Sequence, residues 1–359
     1  MSGAGESSSV ATGVALVDAH TEVADNGVQE RWFTFQFTWA GKPFELEIAE
    51  SDRIYDLKGS LYSLTNVPPE RQKILGLVKG KLPPEQERIG DLKLVSGKKF
   101  TLVGTPEGHE IKDPSEIEFL PDVVNDLDID FYADPAAADT YKNDQRNVRK
   151  IKEMTKKLKL NIIHPPRPGK RLLVLDIDYT ILDTKPLTSG ALPPTECIRP
   201  GLHEFLEAVY PFYDIVVWSQ TSWIWLETKL VEIGMLGDER RNYKISFVLD
   251  KTCMFTVFSK RHGKNVSHQV KALKIIWNHF PQFNAKNTIH IDDLGRNFAL
   301  NPREGLKISA FKNAHTEQAR NDRELAKLSR YLVHIASMDD FEAIDHKQWH
   351  NVVRGMPPR

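Results

Sequence analysis

The chain has 359 residues, 40% hydrophobic and 27% charged, with 48 Lys plus Arg against 49 Asp plus Glu. At about 150 residues per domain there is room for roughly two domains, and a net charge of -1 offers no global attraction to nucleic acid or anionic lipid. No run approaches the roughly 20 apolar residues of a bilayer span, the first twenty residues lack a secretory pattern, and two cysteines, Cys197 and Cys253, build neither a disulfide scaffold nor a four-cysteine zinc site; a soluble, intracellular protein with no membrane or direct nucleic-acid partner is expected.

Residues 1 to about 30 are rich in Ser, Gly, Ala, Val and acidic residues without a helical or strand period, and read as a disordered leader. From Trp32 the pattern changes. Trp32, Thr34, Gln36 and Thr38 alternate with Phe33, Phe35, Phe37 and Trp39, the period of a strand with one aromatic face. Ala40-Gly41-Lys42 is a turn, and Phe44, Leu46 and Ile48 resume the alternation, so a hairpin is predicted. Ser51 or Asp52 can cap a short helix with the stripe Ile54, Leu57, Leu61 and Leu64, which Val67-Pro68-Pro69 ends. Strands over Ile74, Leu75, Leu77 and Val78 and over Phe100, Leu102 and Val103 complete the module.

This order within residues 31–105 resembles ubiquitin. The matching stretches are Glu50-Ser51-Asp52, Leu57-Lys58, Val67-Pro68-Pro69-Glu70-Arg71-Gln72-Lys73-Ile74-Leu75 and Gly80-Lys81. The resemblance implies a ubiquitin-like β-grasp domain. No Gly-Gly terminus follows Val103, which excludes conjugation and leaves recognition by ubiquitin receptors, the central apolar contact of ubiquitin falling at about Leu75.

Residues 106–160 read as a linker. An acidic run, Asp122, Asp126, Asp128 and Asp130, precedes a basic stretch in which Val148, Ile151, Met154 and Leu158 recur at helical spacing, so a solvated amphipathic helix is predicted.

Beyond the linker, over 161–359, strands and helices alternate, the pattern of a parallel sheet covered on both faces. The apolar run Leu172-Leu173-Val174-Leu175 reads as a buried strand, and Asp176-Ile177-Asp178-Tyr179-Thr180 follows at its C-terminal end, where open α/β sheets bind ligands. Side-chain alternation turns two carboxylates one residue apart the same way. Two such anions call for a divalent cation. One carboxylate can then attack phosphorus, and the other can protonate the leaving oxygen and later activate water. A second strand, Tyr213 to Trp218, ends in Ser219-Gln220-Thr221, and Ile224 to Gly234 reads as a helix. Ser219 can donate to a phosphate, and Lys271, opening a helical run through Ile275 and Trp277, can balance its charge. A third strand, Thr288 to Ile291, ends in Asp292-Asp293, which can complete a metal site. A small strand pair is predicted over Ile245–Leu249 and Met254–Phe258, and no separate helical cap fits beside it.

Asp-x-Asp-x-Thr, Ser, Lys and Asp-Asp in this order resemble the haloacid dehalogenase superfamily of aspartate-dependent phosphatases. Leu175-Asp176-Ile177-Asp178-Tyr179-Thr180-Ile181-Leu182, Trp218-Ser219-Gln220-Thr221 and Asp292-Asp293-Leu294-Gly295-Arg296-Asn297 look like its small-CTD-phosphatase branch. With the ubiquitin-like module ahead of it, the chain from about 31 to 350 is similar to the ubiquitin-like-domain-containing CTD phosphatases. The resemblance implies an α/β chain, a ubiquitin-like β-grasp domain followed by a Rossmannoid domain with a parallel central sheet and a small β insertion. It implies Asp176 as nucleophile, Asp178 as general acid and base, and Ser219 and Lys271 as phosphoryl ligands. Mg²⁺ would sit on Asp176, the backbone carbonyl of Asp178 and one of the paired acids. The residues alone leave Asp292 and Asp293 nearly even, and family precedent favours Asp293. Phosphoprotein substrates, the proteasome regulatory particle as docking partner and substrate, activity on RNA polymerase II tail phosphopeptides and a nuclear location are further implications.

Rival features are weaker. Gly76 to Lys81 is one residue short of a phosphate loop, with Leu82 where a hydroxyl is needed. Neither cysteine has the Arg six positions on that a cysteine phosphatase needs. His290 reads as a packed, hydrogen-bonded histidine, Trp218, Trp223, Trp225 and Trp277 as core, and Arg296 equally as a phosphate contact or a structural ion pair. A non-enzymatic phosphoprotein-binding adaptor and a metabolite phosphatase of the same superfamily are the alternative functions.

Overall fold

Residues 21–23, 29–106, 142–158, 160–261 and 264–357 are described by a computed structural model of the chain. The acidic run Asp122 to Asp130 and residues 1–20 and 24–28 of the leader lie outside them. Two compact units form, Met1–Ile111 and Lys112–Arg359.

In the first unit, β1 (Thr21–Val23) and β3 (Lys42–Ala49) both pair antiparallel with β2 (Gln29–Trp39). Helix α1 (Ile54–Thr65) follows, then β4 (Lys73–Leu75) and β5 (Lys99–Val103). β5 lies parallel to β2 and antiparallel to β4, the ubiquitin-like arrangement. Ala40 and Gly41 both take positive φ, 49° and 76°, as a tight hairpin turn requires. The aromatic face of β2 is buried: Phe33, Phe35 and Phe37 pack with Leu46 and Ile48 of β3 against Ile54, Leu57 and Leu61 of α1.

Details differ from the sequence reading. Thr21–Val23 within the leader is a strand, because its backbone pairs with Gln29–Arg31, a cause that composition does not carry. Neither Ser51 nor Asp52 caps α1. The cap is Arg53, whose N–H donates to Asp56 Oδ2 at 2.9 Å, while Asp52 Oδ2 accepts from Ala49 N. Leu64 faces away from the core, and β4 stops at Leu75, leaving Leu77 buried as a loop anchor.

The second unit is built on a six-stranded sheet: β6 (Asn161–Ile162), β7 (Arg171–Leu175), β8 (Tyr213–Trp218), β9 (Ile245–Leu249), β12 (Thr288–Asp292) and β13 (Gly305–Lys307), in the order β13-β12-β7-β8-β9-β6. All neighbours are parallel except β6 with β9. Period-two alternation sorts the side chains between two cores. Leu173, Leu175, Ile215 and Val217 face one, and Leu172, Val174, Val216 and Trp218 the other. Helix α2 (Gln145–Lys157) packs on the second face, and α3 (Leu202–Val209) and α4 (Trp223–Glu232) on the first. Helix α5 (Leu273–His279) joins α2 and α6 (Glu324–Ile335) joins α3 and α4.

Three expectations are corrected here. The predicted pair 245–249 and 254–258 does not form. Ile245–Leu249 is buried on both sides, so it joins the central sheet beside β8, while the small insertion is a hairpin of β10 (Phe255–Arg261) and β11 (Lys264–Val270). The helix read as solvated rests Ile151, Met154 and Leu158 against the second core. Trp225 is exposed on α4, whereas Trp218 is fully buried. Among the described residues no helix is long and apolar enough to cross a membrane.

Gly305 stands opposite His290 in the β12–β13 register, and a Cβ there would fall within the Phe298 ring, which is itself buried and lies edge-on to His290. Gly305→Ala is therefore expected to destabilise the protein by about 1–3 kcal/mol through overpacking. Chemical denaturation measures it, and an unchanged midpoint would refute the close approach.

Candidate active site

The site lies at the C-terminal ends of three adjacent strands, β12, β7 and β8. Asp176 follows β7 directly, and its N–H donates to Ile291 O of β12 at 3.0 Å. The chain then turns sharply. Tyr179 has φ 60°, a left-handed conformation that costs a bulky residue on the order of 1–3 kcal/mol. It is held by its N–H to Leu182 O (2.8 Å) and by Phe311 N–H to its own carbonyl (2.6 Å). Arg199 braces the same loop from within. Fully buried, it donates from Nη1 to Thr180 O (2.9 Å) and Ser309 O (2.8 Å), and from Nε and Nη2 to the two oxygens of Asp322.

Inside this frame Lys271 is fully buried, with Nζ 2.5 Å from Asp176 Oδ1 and 2.7 Å from Asp292 Oδ2. Thr180 Oγ1 donates to Asp176 Oδ2 (2.8 Å) and accepts from Asp293 N–H (3.2 Å). Asp178 points elsewhere. Its Oδ1 accepts from Thr184 Oγ1 (2.7 Å) and Lys229 Nζ (2.6 Å), and its Oδ2 from Ser219 Oγ (3.0 Å). The structure thus brings these residues to neighbouring strand ends in two hydrogen-bonded groups, Asp176, Thr180, Lys271, Asp292 and Asp293 in one and Asp178, Thr184, Ser219 and Lys229 in the other. His290 is buried with Nε2 3.5 Å from Asp292 Oδ2, too long for a good hydrogen bond, and packs against Phe298 instead of being hydrogen-bonded. Arg296 makes no ion pair among the described residues.

Electrostatics separate these carboxyls. Burial, then Asp292, push Asp176 well above the ordinary carboxyl range against the pull of Lys271. Burial would also raise Asp178, but the Lys229 ammonium and the donated hydrogen bonds outweigh it and hold this carboxyl low. Burial opposes ionisation of Asp292 as well, and Lys271 keeps it low. Asp293 is pushed up to about 7 by burial and by Asp292. Burial works against the charge on Lys271, yet Asp176 and Asp292 raise its affinity for the proton.

Asp176, Asp292 and Asp293 each offer an oxygen within 4.8 Å of the others. A set of hard carboxylate oxygens holding more negative than positive charge suits a divalent cation. Asp292 carries the most donors of the three: Lys271 and Asn297 Nδ2 (2.8 Å) at Oδ2 and Leu294 N–H (2.8 Å) at Oδ1. Asp293 has no comparable set of donors, Thr180 Oγ1 standing 3.5 Å from its Oδ1.

Sequence reading missed Lys229, Thr184, Arg199 and Asn297. Lys229 had a signal: it stands within the buried stripe Leu226, Leu230 and Ile233 of α4, where a solvated lysine does not belong. Arg199 sits in a loop and Asn297 in the single 3-10 turn Gly295–Phe298, too short for any periodicity to mark burial.

The family described as NLI interacting factor-like phosphatase matches residues 171–342. A Danio rerio protein named ubiquitin-like domain-containing CTD phosphatase 1 is 44% identical over 318 residues, 87% of this chain and 94% of that one. Its Homo sapiens namesake is 43% identical over the same shares. Among solved structures, the UBL domain of Plasmodium falciparum Dsk2 is 25% identical and covers 21% of this chain and 99% of its own, with a TM-score of 0.19.

A carboxyl raised in the fold favours the folded state while protonated and loses that contribution as it ionises. For Asp293, raised to about 7 by burial and Asp292, the contribution is complete below the unfolded value near 4 and is lost as pH rises to about 7. In chelator, the melting temperature of the wild type relative to Asp293→Asn is expected to fall across that window. A saturating divalent cation, which requires the carboxylate, should oppose the fall. A pH-independent difference in chelator would show that Asp293 is not raised.

Proposed function

This chain belongs to the family of ubiquitin-like domain-containing CTD phosphatases, and we propose that it is a Mg²⁺-dependent protein serine/threonine phosphatase working through an aspartyl-phosphate on Asp176. The observation that carries the reading is the meeting of two aspartates and a buried lysine at adjacent strand ends: Asp176 with Lys271 at 2.5 Å, and Asp178 two residues on with a carboxylate 21% exposed. In the first half-reaction the Asp176 carboxylate attacks the phosphorus of a phosphoserine or phosphothreonine. The bond from phosphorus to the side-chain oxygen breaks, and Asp178, which must enter this step protonated although Lys229 favours its ionised form, gives that oxygen its proton. In the second, Asp178 takes a proton from water as the water oxygen attacks phosphorus; the bond to Asp176 breaks and inorganic phosphate leaves. Lys271 balances charge on the transferring group, and Ser219 offers it a hydroxyl. Asp176, the backbone carbonyl of Asp178 and Asp293 would hold the Mg²⁺, which supplies further neutralisation of phosphoryl charge when bound.

The site's surroundings support a protein substrate. Between Asp178 and Ser219 stand α3 and short helical turns, and between Ser219 and Lys271 stand α4, β9 and the β10–β11 hairpin. Among the described residues neither segment holds a separate cap domain, which favours a bulky phosphoprotein segment over a small metabolite. The ubiquitin-like unit would dock on the proteasome regulatory particle, raising the effective concentration of substrates there. Leu75, 55% exposed on β4, supports that role as an apolar contact. RNA polymerase II tail phosphopeptides as substrates and a nuclear location complete the reading.

Purified protein is expected to release phosphate from a phosphoserine peptide with Mg²⁺, and chelation or Asp176→Asn to lower the rate by at least about 10³-fold. Full activity of Asp176→Asn would sink the aspartyl-phosphate. No release in any sample would favour an adaptor, and much faster turnover of sugar phosphates a metabolite enzyme. Separately, Leu75→Lys in the full chain should leave peptide hydrolysis and melting temperature unchanged while weakening retention on purified regulatory particles by about tenfold or more. Equal retention would remove Leu75 from the docking surface.

A further inference from the structure

We infer that Lys229 is a positioning residue for Asp178, the ammonium that holds this carboxylate in its working orientation. The inference rests on the reading of Asp178 as acid and base. Lys229 belongs to α4, whose neighbouring buried residues Leu226 and Leu230 are core, and its side chain is only 4% exposed. An ammonium out of water costs several kcal/mol unless paired and hydrogen-bonded. The carboxylate that pairs it is Asp178, at 2.6 Å.

Three separate elements converge on that one side chain. Thr184 comes from the helical turn Thr184–Ser189, Ser219 from the end of β8, and Lys229 from the second turn of α4. Lys229 and Thr184 share Oδ1, while Ser219 takes Oδ2, so both oxygens are tied on the protein side. Asp178 retains 21% exposure of its side chain, an open side on which a reacting oxygen can arrive. Of the three donors only Lys229 is charged, and a charged donor makes the stronger and shorter bond. Lys229 makes its hydrogen bond and ion pair with Asp178 and none with Asp176, Lys271 or the Asp292–Asp293 pair, so its effect on the reaction passes through Asp178.

The test is a four-protein cycle on a phosphoserine peptide with saturating Mg²⁺: wild type, Lys229→Met, Asp178→Asn and the double variant. Lys229→Met is expected to lower kcat on the order of 10- to 100-fold, the scale for misplacing an acid–base group, with KM within about twofold because the residue touches no substrate. In the Asp178→Asn background the same substitution should change the rate by less than about twofold. Equal losses in both backgrounds, or no loss in either, would overturn the inference while leaving an active wild type and the phosphatase reading intact. An inactive wild type would sink both. Should Lys229→Met fail to fold, Lys229→Gln carries the same cycle, since its amide keeps a donor in the stripe.

Discussion

Everything at this site depends on burying one ammonium between two carboxylates. Lys271 has no solvent exposure and bridges Asp176 and Asp292. A buried charge is tolerable only with partners, and removing one partner from such a pair costs about 3–5 kcal/mol because the other is left uncompensated. The bridge therefore joins the segment before α5 to the ends of β7 and β12 and fixes which oxygen of each aspartate faces the lysine. It also leaves Asp293 over. A third carboxyl beside an ammonium that is already engaged is pushed up to about 7 by burial and by Asp292, a crowding that a divalent cation would relieve.

The parallel sheet supplies the meeting point, but the loops make it usable. Strand order brings the ends of β12, β7 and β8 side by side. The turn after β7 then runs through Tyr179 in a conformation that a tyrosine does not choose. Buried Arg199 holds it there, reaching Thr180 and Ser309 carbonyls with one nitrogen while Asp322 balances the charge. A lysine could not replace this fork, because a point charge cannot meet two carbonyls and a carboxylate in one plane.

How far the sequence carries this is uneven, for physical reasons. The strands that surround the site were legible because their apolar runs are buried on both faces, and Asp176, Ser219 and Asp292–Asp293 could be placed because they end such runs. Ile245–Leu249 was misread because a buried run does not say which neighbour it pairs with. Leu64 and Trp225 were misread because apolar identity does not by itself fix the face. The basic stretch around α2 concealed an apolar side that packs on a core, since charge dominates its composition and Ile151, Met154 and Leu158 are few. Lys229 breaks an otherwise apolar helix stripe, which is a sequence signal, whereas Arg199 acts from a loop and Asn297 from the short 3-10 turn Gly295–Phe298, whose placement is set by tertiary contacts.

The Asp-x-Asp pair shows where local geometry gives way to tertiary geometry. Strand alternation would turn Asp176 and Asp178 the same way, but β7 ends at Leu175, before either. Asp176 instead turns toward the β12 side, to Lys271 and its bond with Asp292, and Asp178 toward the β8 side, to Ser219 and Lys229. Two identical groups one residue apart thereby enter opposite environments. Burial and neighbouring acids raise the first, while a dedicated ammonium and two hydroxyls outweigh burial and lower the second. Divergent environments separate the roles open to two titratable groups. To attack as a nucleophile Asp176 would have to ionise, which a bound divalent cation would favour. To act as an acid Asp178 would have to hold a proton against the pull of Lys229. Here that divergence comes from two lysines on separate segments, Lys271 just before α5 and Lys229 on α4.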